Sequence, residues 1–519
     1  MSDSGHSADR PLIVLPSGTR GLTAVALALA TFMQVLDTTI ANVSLPTIAG
    51  SLGVSPSQGT WVITSFAVSN GVSVPLSGWL MQRYGVVRTF VVCVLLFTIA
   101  SFLCGVAWSF ESLLAFRVLQ GAVSGPMIPG SQALLISIFP PSKRGMSLAL
   151  WSMTTLVAPI VGPVLGGYIS DNYTWPWIFL INLPIGVLSA SVCWGALHRH
   201  ESPTRQVPVD RVGLGLLVVW VGALQIMLDT GKDAGWFDST SIVVLAIVAA
   251  IGLCAFLIWE LGERHPIVDL SYFRSRNFSV GTTMQCIGYG VFFGNIVLLP
   301  LWLQTQLGYT PTWAGLVQAP AGVVALLLSP LAGRNLHRYD PRGFATFAFL
   351  MMALSLYMRS LLNSEMAIFN LVVPLLVQGV SMAFFFVSLI TVQLDGITSE
   401  RVPGATSLSN FLRITAGAFA TSIATTTWEN RADLHQSRLA EAANLNDPAL
   451  HQLAGAMSNV GVGDQQTLGA LTQMLIKEAY TLSSLDYFWI SSWVILALIG
   501  LIWFARRPHM ATLPPAAID

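Results

Sequence analysis

The sequence predicts an all-α polytopic membrane protein, and three observations carry that prediction. Only 10% of its 519 residues are charged and 54% are hydrophobic, against about 25% charged in an ordinary soluble domain. The mean hydropathy is +0.67. Apolar stretches of about 20 residues recur from end to end, each enough to cross a hydrocarbon core of about 30 Å. Backbone groups in lipid must be satisfied within the segment, so these runs are expected to be helices.

Apolar runs between polar or Pro/Gly breaks define fourteen spans. The tail 1–21 comes first and lacks the charged, apolar and cleavage regions of a signal peptide, so the first helix is expected to be an uncleaved anchor. Six spans follow within 22–197, at about 22–48, 60–81, 86–107, 110–138, 144–170 and 176–197. The linker region 198–278 opens with HRHESPTRQVPVDR. It holds two more spans, at about 211–229 and 239–259. It closes with ELGERHPIVDLSYFRSRN. Six further spans lie within 279–505, at about 279–303, 312–335, 342–362, 366–393, 402–428 and 486–505. The tail 506–519 ends the chain. The pattern is six, two, six. Residues 429–485, between the last two spans, are expected to form an outward-facing loop. In that loop Leu468, Leu471, Leu475 and Ile476 at helical spacing predict an amphipathic helix, whose apolar face could lie on the membrane or dock a partner; a disordered loop is the remaining alternative.

With a cytoplasmic N-terminus, 18 Lys and Arg fall on the inner side and 5, Arg359 among them, on the outer. The positive-inside rule then places both termini in the cytoplasm, which requires an even number of spans. Net charge is zero, which argues against nucleic acid as a partner. Cys93, Cys104, Cys193, Cys254 and Cys286 all lie in apolar spans without metal or redox spacing, as small buried hydrophobes do. The only lysines, Lys143, Lys232 and Lys477, are followed by Arg, Asp and Glu, so no phosphate-binding P-loop exists. Neither does a zinc-protease HExxH. The chain is expected to be neither an enzyme nor a metal or cofactor binder.

Three charges sit deep in apolar spans: Asp37, Arg117 and Arg413. A charge at a bilayer centre costs at least about 2.5–3.5 kcal/mol, so each is a functional candidate. Gln34, Asp37, Thr38 and Ala41 share one helix face, which should look into the bundle. Burial and a nearby cation pull a carboxylate in opposite directions, so Asp37 can be poised to exchange a proton, or can simply tie helices together. No histidine lies in a span to compete. Arg117 needs an acidic or carbonyl partner, and Asp37 is the only deep acid on offer. Gln120 shares its face. In the fifth span Ala158, Gly162 and Gly166 repeat at the small-xxx-small spacing that lets helices approach, and Pro159 and Pro163 each remove a backbone donor. The pattern fits a hinge, and it fits close packing equally well. Arg413 has no acid in its own span. Beside a cavity it would meet an anionic substrate group, and otherwise it bonds to carbonyls.

At this point several motifs resemble those of the fourteen-helix drug:proton antiporters of the major facilitator superfamily, most closely the EmrB/FarB-type exporters. LDTTIANVSLPTI looks like the first-helix motif, with Asp37 and Asn42 in place. RVLQG at 117–121 is similar to the fourth-helix motif. GPVLGG at 162–167, ending in Gly166 and Gly167, looks like the fifth-helix antiporter motif. WPWIFLINLPIG at 175–186 is similar to a phrase of the fourteen-helix branch. The loop GWLMQRYGVVR retains Gly78, Arg83, Gly85 and Arg88 of the superfamily's second–third helix loop. It departs at Gln82, where an aspartate is usual, and at Val86, which puts a charge-based latch there in doubt.

The resemblance implies a major facilitator fold, two six-helix bundles plus two peripheral extra helices, with a site near the midplane. It implies proton-coupled export of hydrophobic neutral or anionic compounds from a bacterial inner membrane. A periplasmic adaptor and, through it, an outer-membrane channel are the implied partners. Candidate cavity residues are Gln34, Asn42, Trp61, Gln120, Met127, Gln285, Tyr289, Phe292, Asn295, Phe384, Asn410 and Arg413. The rival readings are an uptake symporter on the same fold and a non-transporting receptor or scaffold.

Overall fold

A computed structural model describes residues 13–140, 143–206, 208–336, 339–363, 368–398, 400–442 and 464–507, and every regular element among them is helical. The first set comprises α1 (Ser17–Leu52), α2 (Trp61–Tyr84), α3 (Val86–Gly105), α4 (Phe110–Ser124), α5 (Met127–Ile138), α6 (Arg144–Asn172), α7 (Trp177–Leu180) and α8 (Asn182–Leu197). Next come α9 (Arg211–Thr230) and α10 (Thr240–Gly262). The second set is α11 (Arg276–Thr305), α12 (Pro311–Asn335), α13 (Pro341–Ser360), α14 (Ile368–Leu394), α15 (Val402–Ala442) and α16 (Asp464–Ile502). Among the described residues, eleven helices are long and apolar enough to cross a membrane. Three further passes complete an order consistent with fourteen. They are α2, polar through Ser65, Asn70, Ser73 and Ser77, the α4–α5 pair broken at Gly125–Pro126, and the Ser/Thr-rich α15. Helix starts carry their own signals. Ser109 and Ser112 form a reciprocal capping box before α4, satisfying two amide donors that the first turn leaves free. Asp210 and Asp340 cap α9 and α13, the latter with Pro341 at the first position, where proline's missing N–H costs nothing.

The two described chain ends share one face, here the terminal face. The Ile13 amide donates to Ser137, and Arg342 donates to the Ala505 carbonyl. On this face the two halves are drawn together by small residues. Gly145 of α6 meets Gly333 of α12, and a Cβ on Gly78 of α2 would stand 3.3 Å from the Gly404 Cα of α15. Ser407 adds a 2.8 Å hydrogen bond to the Val74 carbonyl. The α6–α12 contact continues away from this face, where Val164 packs on Gly315.

The extra helices do not both lie at the periphery, as expected. Only α10 does. Leu217, Trp220 and Val221 of α9 pack with Val74 of α2 and with Ala405, Leu408 and Phe411 of α15. Farther from the terminal face, Ser422 of α15 donates to Leu228 of α9 at 2.5 Å, and Lys232 pairs with Glu429 at 2.7 Å. Glycine and serine let α2 and α15 touch near one face only, and α9 stands between them beyond that.

Three more expectations change. The described parts of 429–485 are helix, because α15 continues to Ala442 and α16 begins at Asp464. At about 1.5 Å per residue, the 41 residues of α15 far exceed a hydrocarbon core. The extensions are clasped by Asp486, which accepts from Arg431 Nε at 2.6 Å and lies 2.7 Å from His435 Nε2, and by Trp428 donating to Ser484. The expected amphipathic helix is the start of α16 and runs into its span. Residues 443–463, and the tails 1–12 and 508–519, lie outside the described residues. Second, Arg359, counted among the outer-side charges and not among the deep ones, is buried in the last turn of α13, 1% exposed, bonded to Gln378 and 5.8 Å from the Phe488 ring. Third, Glu260 is buried at the end of α10, where it accepts from the Val268 amide.

Candidate functional site

Within the first bundle, one network gathers five helices around Asp37, which is 0% exposed. Arg117 of α4 donates through Nη1 to Asp37 Oδ2 at 2.6 Å and to Gln120 Oε1 at 2.7 Å, and through Nε to the Val62 carbonyl at 2.9 Å. Its guanidinium lies 4.4 Å from the Phe66 ring centre and 5.5 Å from that of Phe179. Gln120 and Asn182 each donate to Asp37 Oδ1 at 3.0 Å. Both also donate to Ser101, whose hydroxyl in turn donates to the Phe179 carbonyl. A buried ion pair persists only when its remaining lone pairs and protons are also satisfied, and here both carboxylate oxygens are. Gly121 of RVLQG permits this approach, since a Cβ there would fall 2.5 Å from the Phe66 carbonyl. Asn182 and Ser101 were not singled out from the sequence; the polar Asn within the apolar phrase WPWIFLINLPIG was the available signal.

A second cluster straddles the two halves. Arg413, 2% exposed, lies 4.5 Å from the Tyr289 ring centre, 5.7 Å from Phe386 and 5.9 Å from Trp151 of α6. It donates to Asn410 at 2.9 Å, and Asn410 donates across the halves to Gln132 of α5 at 2.9 Å. Arg413 Nε and Trp151 Nε1 are buried and have no hydrogen-bond partner, and no carboxylate among the described residues pairs with this arginine. Below it Gln285 bonds to Gln393, which also accepts from Ser409. Phe292 packs on Tyr289.

Other candidates are placed apart. Gln34 is buried with a free Oε1, and Asn295 is buried with a free Oδ1. Thr38 turns to its own backbone. Asn42 and Trp61 are exposed, and Met127 is fully buried among apolar side chains. Phe384 packs on Phe344 and Phe347 of α13 and not at the Arg413 cluster, where Phe386 stands instead. Two helical positions turn a side chain by about 200°, enough to put Phe384 on the face opposite to that of Phe386.

The candidate hinge α6 passes unbroken through Pro159 and Pro163. Gly162 and Gly166 admit Thr39 and Ile40 of α1, so that face docks α1 while Pro163 and Val164 face α12; Gly167 is buried beside them. At the second–third helix loop, Gln82 contributes its carbonyl to the Arg205 amide, and Arg83 lies near Trp79 and Tyr84. The acid at this loop comes from elsewhere. Glu201 accepts the amides of Val87 and Arg88 at 2.9 and 2.8 Å, capping α3 where the helix dipole favours an anion. Gly85 has φ +93° and ψ 154°, a region reserved for glycine, and a Cβ there would collide with the Glu201 carboxylate. Gly85→Ala is therefore expected to lower stability by about 2–4 kcal/mol through backbone strain and a lost cap. Thermal melting in detergent checks it; an unchanged midpoint would contradict it.

A family model for the Major Facilitator Superfamily matches residues 27–421. The chain belongs to the major facilitator superfamily. This multi-pass member is 48% identical over 488 residues to the Multidrug export protein EmrB of Escherichia coli (strain K12), covering 94% of this chain and 95% of that protein. It is 47% identical over 484 residues to the Fatty acid resistance protein FarB of Neisseria gonorrhoeae, covering 93% and 96%. Among solved structures, the human organic anion transporter MFSD10 (TETRAN) superposes with TM-score 0.60 at 12% identity, covering 94% of this chain and 100% of that one. That likeness shows the major facilitator fold alone.

Proposed function

We propose that this chain is a proton-coupled exporter of hydrophobic neutral or anionic compounds, working in a bacterial inner membrane with both termini in the cytoplasm. The observation that carries the reading is the Asp37 carboxylate, fully buried and held by Arg117, Gln120 and Asn182. Such a group can trade its arginine for a proton. Facing outward, Asp37 takes a proton and frees Arg117; facing inward, it returns the proton, and substrate leaves in the opposite sense. With cytoplasmic termini, the Gly145–Gly333 and Gly78–Gly404 contacts seal the cytoplasmic side in this conformation. Substrate would contact the Arg413 cluster, with Tyr289, Gln285, Phe292, Asn410 and Gln34 around it. The names of the EmrB and FarB relatives support drug-like and fatty-acid cargo. The helical extensions of α15 and α16 would meet a periplasmic adaptor that leads to an outer-membrane channel.

The test is transport by purified protein in lipid vesicles under an imposed proton gradient, with decanoate as the weak-acid probe. Export requires decanoate to move against the proton flow. Movement with the protons would mean uptake symport, and no gradient-driven movement at all would leave a receptor or scaffold.

A further inference from the structure

The scheme above uses Asn182 only to hold the Asp37 carboxylate, and the phrase WPWIFLINLPIG that carries it also supplies Phe179 beneath Arg117. We propose that Asn182 is a positioning residue that reads the protonation state of Asp37, an inference that rests on Asp37 being the proton carrier. Asn182 stands at the first position of α8, where the chain breaks between α7 and α8, and it is 0% exposed. Its Nδ2 makes two bonds, to Asp37 Oδ1 at 3.0 Å and to Ser101 Oγ at 2.9 Å, while its Oδ1 has no partner. A charged carboxylate accepts only, so it dictates this amide orientation.

A protonated Asp37 gains an O–H that needs an acceptor. The Gln120 oxygen already takes Arg117 Nη1 and the Cys104 thiol. Asn182 Oδ1 is the vacant acceptor on an amide already bonded to this carboxyl. Rotating the amide by half a turn points Oδ1 at the new O–H and withdraws Nδ2. Ser101 then turns its hydroxyl from the Phe179 carbonyl to Oδ1. The proton binds Asp37, no other group gains or loses one, and the change reaches the α7–α8 elbow that lies against Arg117.

The experiment is pH-difference infrared spectroscopy of the full chain in lipid, which needs no substrate. Wild type should show a protonated-carboxyl band that Asp37→Asn removes. In Asn182→Leu and Asn182→Ala the band should move to higher frequency. Its pH midpoint should shift alkaline by about one unit, because a hydrogen bond to a charged group outweighs one to a neutral group by roughly twofold. Asn182→Ser, which keeps a donor and an acceptor, should return both toward wild type. A band and midpoint unchanged in folded Asn182→Leu or Asn182→Ala overturn the proposal and leave Asp37 as carrier. A band that survives Asp37→Asn overturns the carrier reading itself.

Discussion

Asp37→Asn is expected to abolish gradient-driven movement of substrate and, at the same time, to destabilise the protein. The asparagine keeps the shape but carries no exchangeable proton in the working pH range. It also strands Arg117, which is 1% exposed and whose guanidinium stays charged. Breaking a buried pair by removing one partner costs about 3–5 kcal/mol. Arg117→Met is expected to be milder, since Asp37 escapes burial as an anion by taking up a proton. It should still be uncoupled, having no cation to displace that proton. The double variant Asp37→Asn/Arg117→Met should recover most of the lost stability and none of the transport. The cycle separates the two roles, because groups in contact are non-additive by about 0.5–3 kcal/mol. Melting midpoints of the four proteins, beside vesicle transport, measure it. Wild-type transport by Asp37→Asn would end the claim that Asp37 carries the proton.

Helix content, the order of spans and the Asp37–Arg117–Gln120 group were legible because each rests on a local rule. Apolar runs must be helical in lipid, and two lone opposite charges in apolar spans must find each other. What depended on depth or rotation was not legible. Arg359 reads as an outer-side charge because it stands near the end of an apolar run, yet Gln378 of α14 and Phe488 of α16 close over it. Phe384 and Phe386 are equivalent in composition and differ only in the direction each faces. Glu201 supplies the acid that Gln82 lacks, but from more than a hundred residues away. The extensions of α15 and α16 are polar enough to read as a loop, and they hold as helices through the cross-contacts of Asp486 and Trp428. The wedge of α9 between α2 and α15 is a consequence of how two other helices diverge, which no feature of its own sequence states.

Arg413→Met is expected to lower affinity for carboxylate substrates by about 10- to 100-fold, from loss of charge-assisted bonds of about 1.5–3 kcal/mol. Uncharged hydrophobic substrates should be little affected. A buried cation without an anion is a liability, so replacing it with an apolar side chain of similar volume should leave the melting midpoint unchanged or raised. Trp151→Phe keeps an aromatic face and removes the pyrrole ring with its Nε1–H; it should cost a few-fold, and more for anionic than for neutral substrates. Binding measured above and below the ionisation point of one weak acid separates charge from shape, and the preference for the ionised form should vanish in Arg413→Met. Equal loss for charged and neutral ligands together with a lower melting midpoint would instead make Arg413 a strut. The distinction matters for coupling between halves. Arg413 holds Asn410, and Asn410 bridges to Gln132, so an anion that draws Arg413 toward itself pulls on a bond that ties the two bundles together.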